Sequence, residues 1–277
     1  MGSATPSLES YNNALFEKYG LVEIQERHGE AVLPYMTIVD LKEEYKDKAF
    51  KGVFSRPLIQ AIQNALLNKE QIVLFQNRRG YAPVIDCQMC GWIAECTNCD
   101  VKLTKHKSMN ELRCHYCGTR SKIPQMCPSC GNMHLSEVGI GTEKIEEELK
   151  ELFPTALIAR MDYDTAKTKT ALETILVDFE LKKIDILVGT QMVTKGLDFD
   201  NISLVGVLNA DSLLKYPDLR ANERAFQLLT QVAGRAGRRQ KQGNVIIQTF
   251  DPAHPVIVET IQMMYKRFFN RESTERK

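Results

Sequence analysis

The sequence lacks an excess of either charge. Lys+Arg total 36 against Asp+Glu 35, a formal net charge of +1 over 277 residues. A globally basic, histone-like protein is excluded, while a local basic groove on a neutral protein is not. No apolar run approaches the roughly 18 residues that a membrane-spanning helix needs. The opening MGSATPSLES has neither the basic start nor the apolar stretch of a secretory signal. With 43% hydrophobic and 26% charged residues, the chain is too apolar to be disordered as a whole. Its length suits one large or two modest domains with a real core. Cysteine is missing from most of the chain, because all eight lie between Cys87 and Cys130.

Those eight read as four pairs of one type: Cys87-Gln-Met-Cys90, Cys96-Thr-Asn-Cys99, Cys114-His-Tyr-Cys117 and Cys127-Pro-Ser-Cys130. Two residues between sulfurs fold a short knuckle that points both thiolates at one metal ion. Two knuckles complete a tetrahedral zinc site. Five, fourteen and nine residues separate successive pairs. The fourteen-residue gap suits a zinc ribbon. It favours a nested arrangement, Cys96, Cys99, Cys114 and Cys117 on one zinc and Cys87, Cys90, Cys127 and Cys130 on the other. Sequential pairing is the alternative, with little chain to accommodate it. A disulfide framework or thioredoxin-like redox pairs fit less well than metal. His106, His115 and His134 are surplus to two saturated sites. Gly91, Gly118 and Gly131 follow the second cysteine of a pair, where a knuckle often needs positive φ. Lys102, Lys105, Lys107, Arg113, Arg120 and Lys122 are either a solvated surface or nucleic-acid contacts.

Outside the cysteine window, helical and strand patterns alternate. An amphipathic helix is expected from Arg56 to Glu70, with Ser55 as N-cap and Pro57 in its first turn. Others are expected from Gly141 to Leu152, Thr170 to Lys182 and Arg220 to Ala233. Gln71–Phe75, Leu157–Ala159, Asp185–Gly189, Ser203–Val207 and Asn244–Gln248 read as strands. This pattern indicates an α/β fold with a parallel sheet covered on both faces. The cysteine module interrupts it after the first of these strands, at the carboxyl edge where ligand sites cluster. Ser7 to Tyr19 reads as helix and Met36–Leu41 as strand, in a segment too short for its own core, which is expected either to pack on the sheet domain or to be the end of a domain that has been cut away. Pro255 to Phe269 reads as one helix.

Gln231-Val-Ala-Gly234-Arg235-Ala-Gly237-Arg238 ends a helix with two arginines among small residues. Arginine neutralises charge developing on a transferring phosphoryl group. A strand-end loop precedes it, Gly189-Thr190-Gln191-Met192-Val-Thr-Lys195-Gly196-Leu-Asp198-Phe199. Together they resemble motifs V and VI of superfamily 2 helicases. Gly141-Thr142-Glu143 and Asn77-Arg78-Arg79-Gly80 are similar to further motifs of the second motor lobe. Gly2-Ser3-Ala4-Thr5-Pro6-Ser7 resembles motif III. With the paired cysteines, Asn77–Pro83, Cys90–Cys96 and Thr190–Met192 resemble the bacterial replication-restart helicases within that superfamily, over residues 2 to 265.

The resemblance implies a RecA-like second helicase lobe with an inserted zinc-ribbon-like module binding two zinc ions in nested pairing. It implies a 3′ to 5′ DNA helicase of the bacterial cytoplasm and nucleoid, using ATP and Mg2+. The implied partners are forked or single-stranded DNA, single-strand-binding protein and primosome proteins, with no membrane. Carried over, Arg235 and Arg238 act on ATP, Gln231, Asp198 and Gly196 line the nucleotide cleft, and Thr190, Lys195 and Thr142 face DNA. The expected division is 1–52 as first-lobe end and linker, 53–250 as second lobe interrupted at about 86–137, and 251–277 as a C-terminal helix. No G-x-x-x-x-G-K-[ST] phosphate loop or acidic Walker-B tetrad occurs in the sequence. The chain is therefore expected to be a motor fragment, inactive alone. A zinc docking module without catalysis, or another superfamily 2 translocase, is the alternative.

Overall fold

The computed structural model describes residues 2–24, 33–47, 50–77, 84–87, 89–99, 101–106, 110–114, 116–133, 135–137, 142–162, 165–166, 168–194, 201–214, 218–237 and 242–276. The chain begins with helix α1 (Leu8–Leu15), whose N-cap Ser7 accepts from the Ser10 N–H at 3.1 Å. Strand β1 (Tyr35–Asp40) runs into α2 (Leu41–Lys46), capped by the Asp40 carboxylate. Helix α3 (Arg56–Leu67) has Pro57 in its first turn, as expected. Ser55 occupies its N-cap position, but the hydroxyl makes no cap bond. Instead the buried Glu44 carboxylate accepts from the Arg56 N–H at 2.7 Å, an anion at the positive end of a helix.

Strand β2 (Gln71–Phe75) follows and is buried throughout. The cysteine module then contributes β3 (Ile85–Cys87), β4 (Thr104–His106), β5 (Glu111–Arg113), β6 (Arg120–Lys122) and β7 (Leu135–Glu137). Next come α4 (Thr142–Leu152), β8 (Ile158–Met161), α5 (Lys169–Glu180), β9 (Ile186–Gly189) and a 3₁₀ turn over Gln191–Thr194. The chain ends through β10 (Ile202–Val207), α6 (Asp211–Leu214), α7 (Ala221–Ala233), β11 (Asn244–Thr249), α8 (Pro255–Ile261) and α9 (Tyr265–Glu275).

Six strands form one wholly parallel sheet in the order β1-β11-β10-β2-β9-β8. Strand alternation divides the core between its faces. Ile72, Leu74, Ile186, Val188, Leu204 and Ile246 pack with α3 and α4. Val73, Phe75, Leu187, Val205, Val207, Val245 and Ile247 pack with α1, α5, α7, α8 and α9. A sheet buried on both faces needs apolar residues at every strand position, which explains the uninterrupted runs.

One open expectation is settled and two change. The expected strand at 36–41 is an edge strand of this same sheet, paired in register from Tyr35↔Asn244 to Asp40↔Thr249. The lobe's sheet therefore starts upstream of residue 53, and the cysteine module follows its second strand in chain order. Helix α1 stops at Leu15, because Glu17 turns into the left-handed region at φ 58°. The tail is two helices, not one. Met263 adopts φ 51°, and the Met264 N–H returns to the Glu259 carbonyl at 2.9 Å. That break redirects α9 so that Phe268 and Phe269 enter the core.

Candidate functional site

The cysteine module stands on the carboxyl edge of the sheet, on a two-stranded antiparallel stalk of β3 and β7. Its outer part is the antiparallel sheet β4-β5-β6. Leu103, Leu112, Val101, Ala94 and Ile85 form a small core there with Cys96 and Cys114. Each knuckle repeats one backbone device. The N–H of the first cysteine donates to the carbonyl five residues on: Cys87 to Trp92 (2.8 Å), Cys96 to Val101 (2.9 Å), Cys114 to Thr119 (2.8 Å) and Cys127 to Asn132 (2.7 Å). Gly91, Gly118 and Gly131 sit at φ 74°, 76° and 74°, the left-handed geometry expected of them. The first cysteine of each pair is buried and the second is more exposed.

The sulfurs group in nested order. Cys87, Cys90, Cys127 and Cys130 form one set, and Cys96, Cys99, Cys114 and Cys117 the other, all within 4.8 Å of one another in each. Sulfurs of different knuckles approach to 3.5 Å (Cys87–Cys130), 3.7 Å (Cys90–Cys127) and 3.5 Å (Cys96–Cys117). A tetrahedron with Zn–S near 2.3 Å has edges of about 3.8 Å. Both sets fit zinc, and neither leaves a ligand position for catalytic water. Disulfide bonds need about 2.05 Å, so the bridged alternative does not describe this geometry.

The thiols show how charge would be shared. A hydrogen bond from the Thr119 hydroxyl (3.0 Å), helped by the Thr119 N–H, lowers the Cys117 thiol to about 6. Sharing its proton with Cys117 pushes Cys99 up to about 12. Four crowded sulfurs cannot all be thiolates without a cation, so metal entry must expel protons. His115 and His134 lie outside the described residues, as does the His106 side chain.

Of the remaining predicted residues, Thr142 and Thr190 lie at one edge of the sheet and Arg235 at the other. Thr190 follows β9 at the carboxyl edge, and its N–H reaches the Met161 carbonyl at 3.4 Å. Next to Met161, Asp162 receives the hydroxyl of Thr142 in a short hydrogen bond. Both threonines are buried, Thr142 completely. The Thr142 hydroxyl is committed to Asp162 at the start of α4. At the other edge, α7 delivers Arg235 beside the beginning of β10, where the Gly237 N–H donates to the Ile202 carbonyl at 3.0 Å. Gly237 is left-handed at φ 67°. Arg235 is half-buried, and burial lowers its guanidinium pKa. Gln231 on α7 is exposed. Helix α7, 13 residues long, spans about 20 Å between the two edges. Arg238, Asp198, Gly196 and Lys195 lie outside the described residues.

Sequence reading missed the residues that hold these loops. Gly243 is one: a Cβ there would meet the Gly237 nitrogen at 2.2 Å and the Ala236 carbonyl carbon at 2.5 Å. Gln248 is another. Fully buried, it accepts from the Ser55 N–H at 2.8 Å and donates to the Val53 and Leu208 carbonyls at 2.9 and 2.8 Å. A lone glutamine inside an apolar strand was the available signal. The module is also docked twice on the lobe. Gly91 abuts Phe250, and the Tyr116 hydroxyl accepts from the Leu219 N–H at 3.3 Å, just before α7.

Fold and site together define a RecA-like second motor lobe of a helicase, carrying an inserted module with two four-cysteine centres. Two family descriptions match in the corresponding places. Residues 96–122 match the PriA DNA helicase Cys-rich region (CRR) domain, and residues 138–240 the helicase conserved C-terminal domain. The chain is 44% identical over 277 residues to the replication restart protein PriA of Bacillus subtilis, covering 100% of this chain and 34% of that protein. It is 45% identical over 268 residues to PriA of Haemophilus influenzae, covering 97% and 36%. To PriA of Chlamydia pneumoniae it is 44% identical over 278 residues, covering 100% and 37%. The chain belongs to the PriA family of replication restart proteins. It spans about a third of the length of these curated relatives.

Proposed function

We propose that this chain is the second motor lobe, with its zinc module, of an ATP-dependent 3′ to 5′ DNA helicase acting in replication restart and primosome assembly. The observation that carries the proposal is the Gln231–Gly237 segment. It ends α7 with a half-buried arginine and is pinned by Gly237 to β10, in a chain of the PriA family. ATP with Mg2+, bound against a lobe carrying the phosphate loop, supplies the driving phosphoryl transfer. Arg235 and Arg238 neutralise charge on the transferring group. Gln231, Asp198 and Gly196 line the same cleft. Thr190, Lys195 and Thr142 serve the DNA side, with the Thr142 hydroxyl held by Asp162.

Two Zn2+ ions hold the module, one in each four-cysteine set. The division into first-lobe end, second lobe and C-terminal extension stands within this proposal, with the second lobe's sheet taken from residue 35. Forked or single-stranded DNA, single-strand-binding protein and primosome proteins are the proposed partners, in the bacterial cytoplasm at the nucleoid. The isolated chain hydrolyses no ATP, because its sequence holds no phosphate loop. The test is Arg235→Lys in the full-length protein. Lysine keeps the charge but loses the planar fork. DNA-stimulated ATP hydrolysis should fall by about 1,000-fold, the scale of an arginine finger. Hydrolysis at the unmodified rate would refute the role.

A further inference from the structure

The outer sheet of the zinc module has two unlike faces. Leu103, Leu112 and Ile123 turn inward to the module core. By the two-residue alternation of strands, Thr104, Glu111, Arg113, Arg120 and Lys122 share the opposite face. Register places Arg113 directly opposite Arg120, and Glu111 opposite Lys122. Like charges facing each other across an antiparallel pair destabilise it. Glu111 is the one carboxylate on that face among the described residues, and it reaches Arg120 only at 3.6 Å. Arg120 and Lys122 are exposed, and the Arg120 side chain keeps 56% of its accessible surface. The face therefore carries three cations against one carboxylate, with Arg120 within ion-pair distance of Glu111 and Thr104 buried beside Arg113.

We infer that this face, Arg113, Arg120 and Lys122, binds the phosphate backbone of a nucleic acid strand. Two arginines whose Cα atoms lie about 5 Å apart across the strands have side chains long enough to clamp one phosphate between them. Lys122, about 7 Å along the strand from Arg120, meets the next phosphate. The unfavourable arginine pair is relieved when an anion sits between its members. A strand of regularly spaced phosphates suits a flat row of three cations better than a single small anion does. Lys102 and Lys105 take no part: Lys102 is paired with Glu95, and Lys105 lies on the other face. This surface rests on the proposed function for its strand, but it is read by binding and not by ATP hydrolysis.

The test is fluorescence anisotropy of a labelled single-stranded oligonucleotide with the zinc-loaded 277-residue chain, over a range of salt. For single strands each phosphate contact contributes about 0.7 to the slope of log affinity against log salt. The triple variant Arg113→Gln, Arg120→Gln, Lys122→Gln should lose about 2 from that slope and keep two zincs. An unchanged slope with zinc retained overturns the inference, as does a wild-type chain with no salt-dependent binding. Poly-glutamate binding that the variant loses while DNA binding stays intact would reassign the face to an acidic peptide, overturning it too. A second variant separates binding from folding. Arg113→Glu puts an opposite charge across from Arg120, so it should raise the module's thermal midpoint while weakening DNA binding. A lower midpoint with DNA binding unchanged is the structural result and would overturn the inference. DNA-stimulated ATP hydrolysis by the full-length triple variant tests the helicase reading independently.

Discussion

Replacing Gly91 with alanine separates the strain of a knuckle from the docking of the module on the lobe. Gly91, Gly118 and Gly131 have nearly the same backbone, φ 74°, 76° and 74°. A side chain in that region costs about 1–2 kcal/mol. Their surroundings differ. A Cβ at Gly118 or Gly131 meets nothing within 4 Å, whereas at Gly91 it meets the Cβ of Phe250 at 2.7 Å and its Cγ at 2.8 Å. Those atoms lie next to the backbone and cannot swing aside. Phe250 is also held by its N–H bond to buried Asp211 (2.8 Å) and by stacking on Tyr45 at 5.8 Å. Overpacking a site of this kind costs typically about 1–3 kcal/mol. Gly131→Ala should therefore cost about 1–2 kcal/mol and Gly91→Ala about 2–5 kcal/mol. Metal binding and module folding are one equilibrium. The extra cost should appear as zinc affinity weakened roughly 5- to 150-fold relative to Gly131→Ala. Competition with a chromophoric chelator measures it, and Trp92, the single tryptophan and the neighbour of Gly91, reports local unfolding by fluorescence. Equal zinc affinities for the two variants would refute the docking of the first knuckle on Phe250.

Three further outcomes follow from the same structure. Gly243→Ala should lower stability by about 1–3 kcal/mol, because its Cβ meets the Gly237 nitrogen at 2.2 Å; an unchanged thermal midpoint would show that the Arg235 loop is not packed as described. Zinc affinity should rise with pH through neutrality, since Cys99 at about 12 must release its proton to the metal while Cys117 at about 6 is already ionised; pH-independent affinity between 6 and 8 would contradict this. His254 caps α8 by accepting from the Val256 N–H at 3.3 Å, and burial lowers its pKa below 6.5. The unfolded chain then binds the proton more readily, so this contribution is complete above 6.5 and lost as pH falls below it. His254→Asn, which can also cap, should flatten that part of the stability profile, and calorimetry across pH 5 to 7 would detect a failure to do so.

Much of the cysteine module was legible because its determinants are local. A two-residue spacing builds a knuckle wherever it occurs, and Gly91, Gly118 and Gly131 mark turns that need left-handed backbone. The second knuckle shows the limit, since it closes with the same Cys96-to-Val101 bond and no glycine after Cys99. The main strands were legible for a related reason: burial on both faces writes continuous apolar runs at β2, β9 and β10. The helix break at Met263 was not, because neither glycine nor proline announces it and only the burial of Phe268 and Phe269 requires it.

The sequence by itself determined the ligand pairs, the alternating α/β elements and the arginine-bearing helix end, all of them properties of residues within one or two turns of each other. Tertiary structure decided the rest. It recruited Tyr35–Asp40 to the sheet edge beside β11, because open strand edges are satisfied by whatever strand can reach them. It buried Thr142 against Asp162, twenty residues away in sequence. It also set the cysteine module and Arg235 at opposite ends of α7. A crossover helix between parallel strands must run back along the sheet, so what enters at the carboxyl edge leaves at the amino edge.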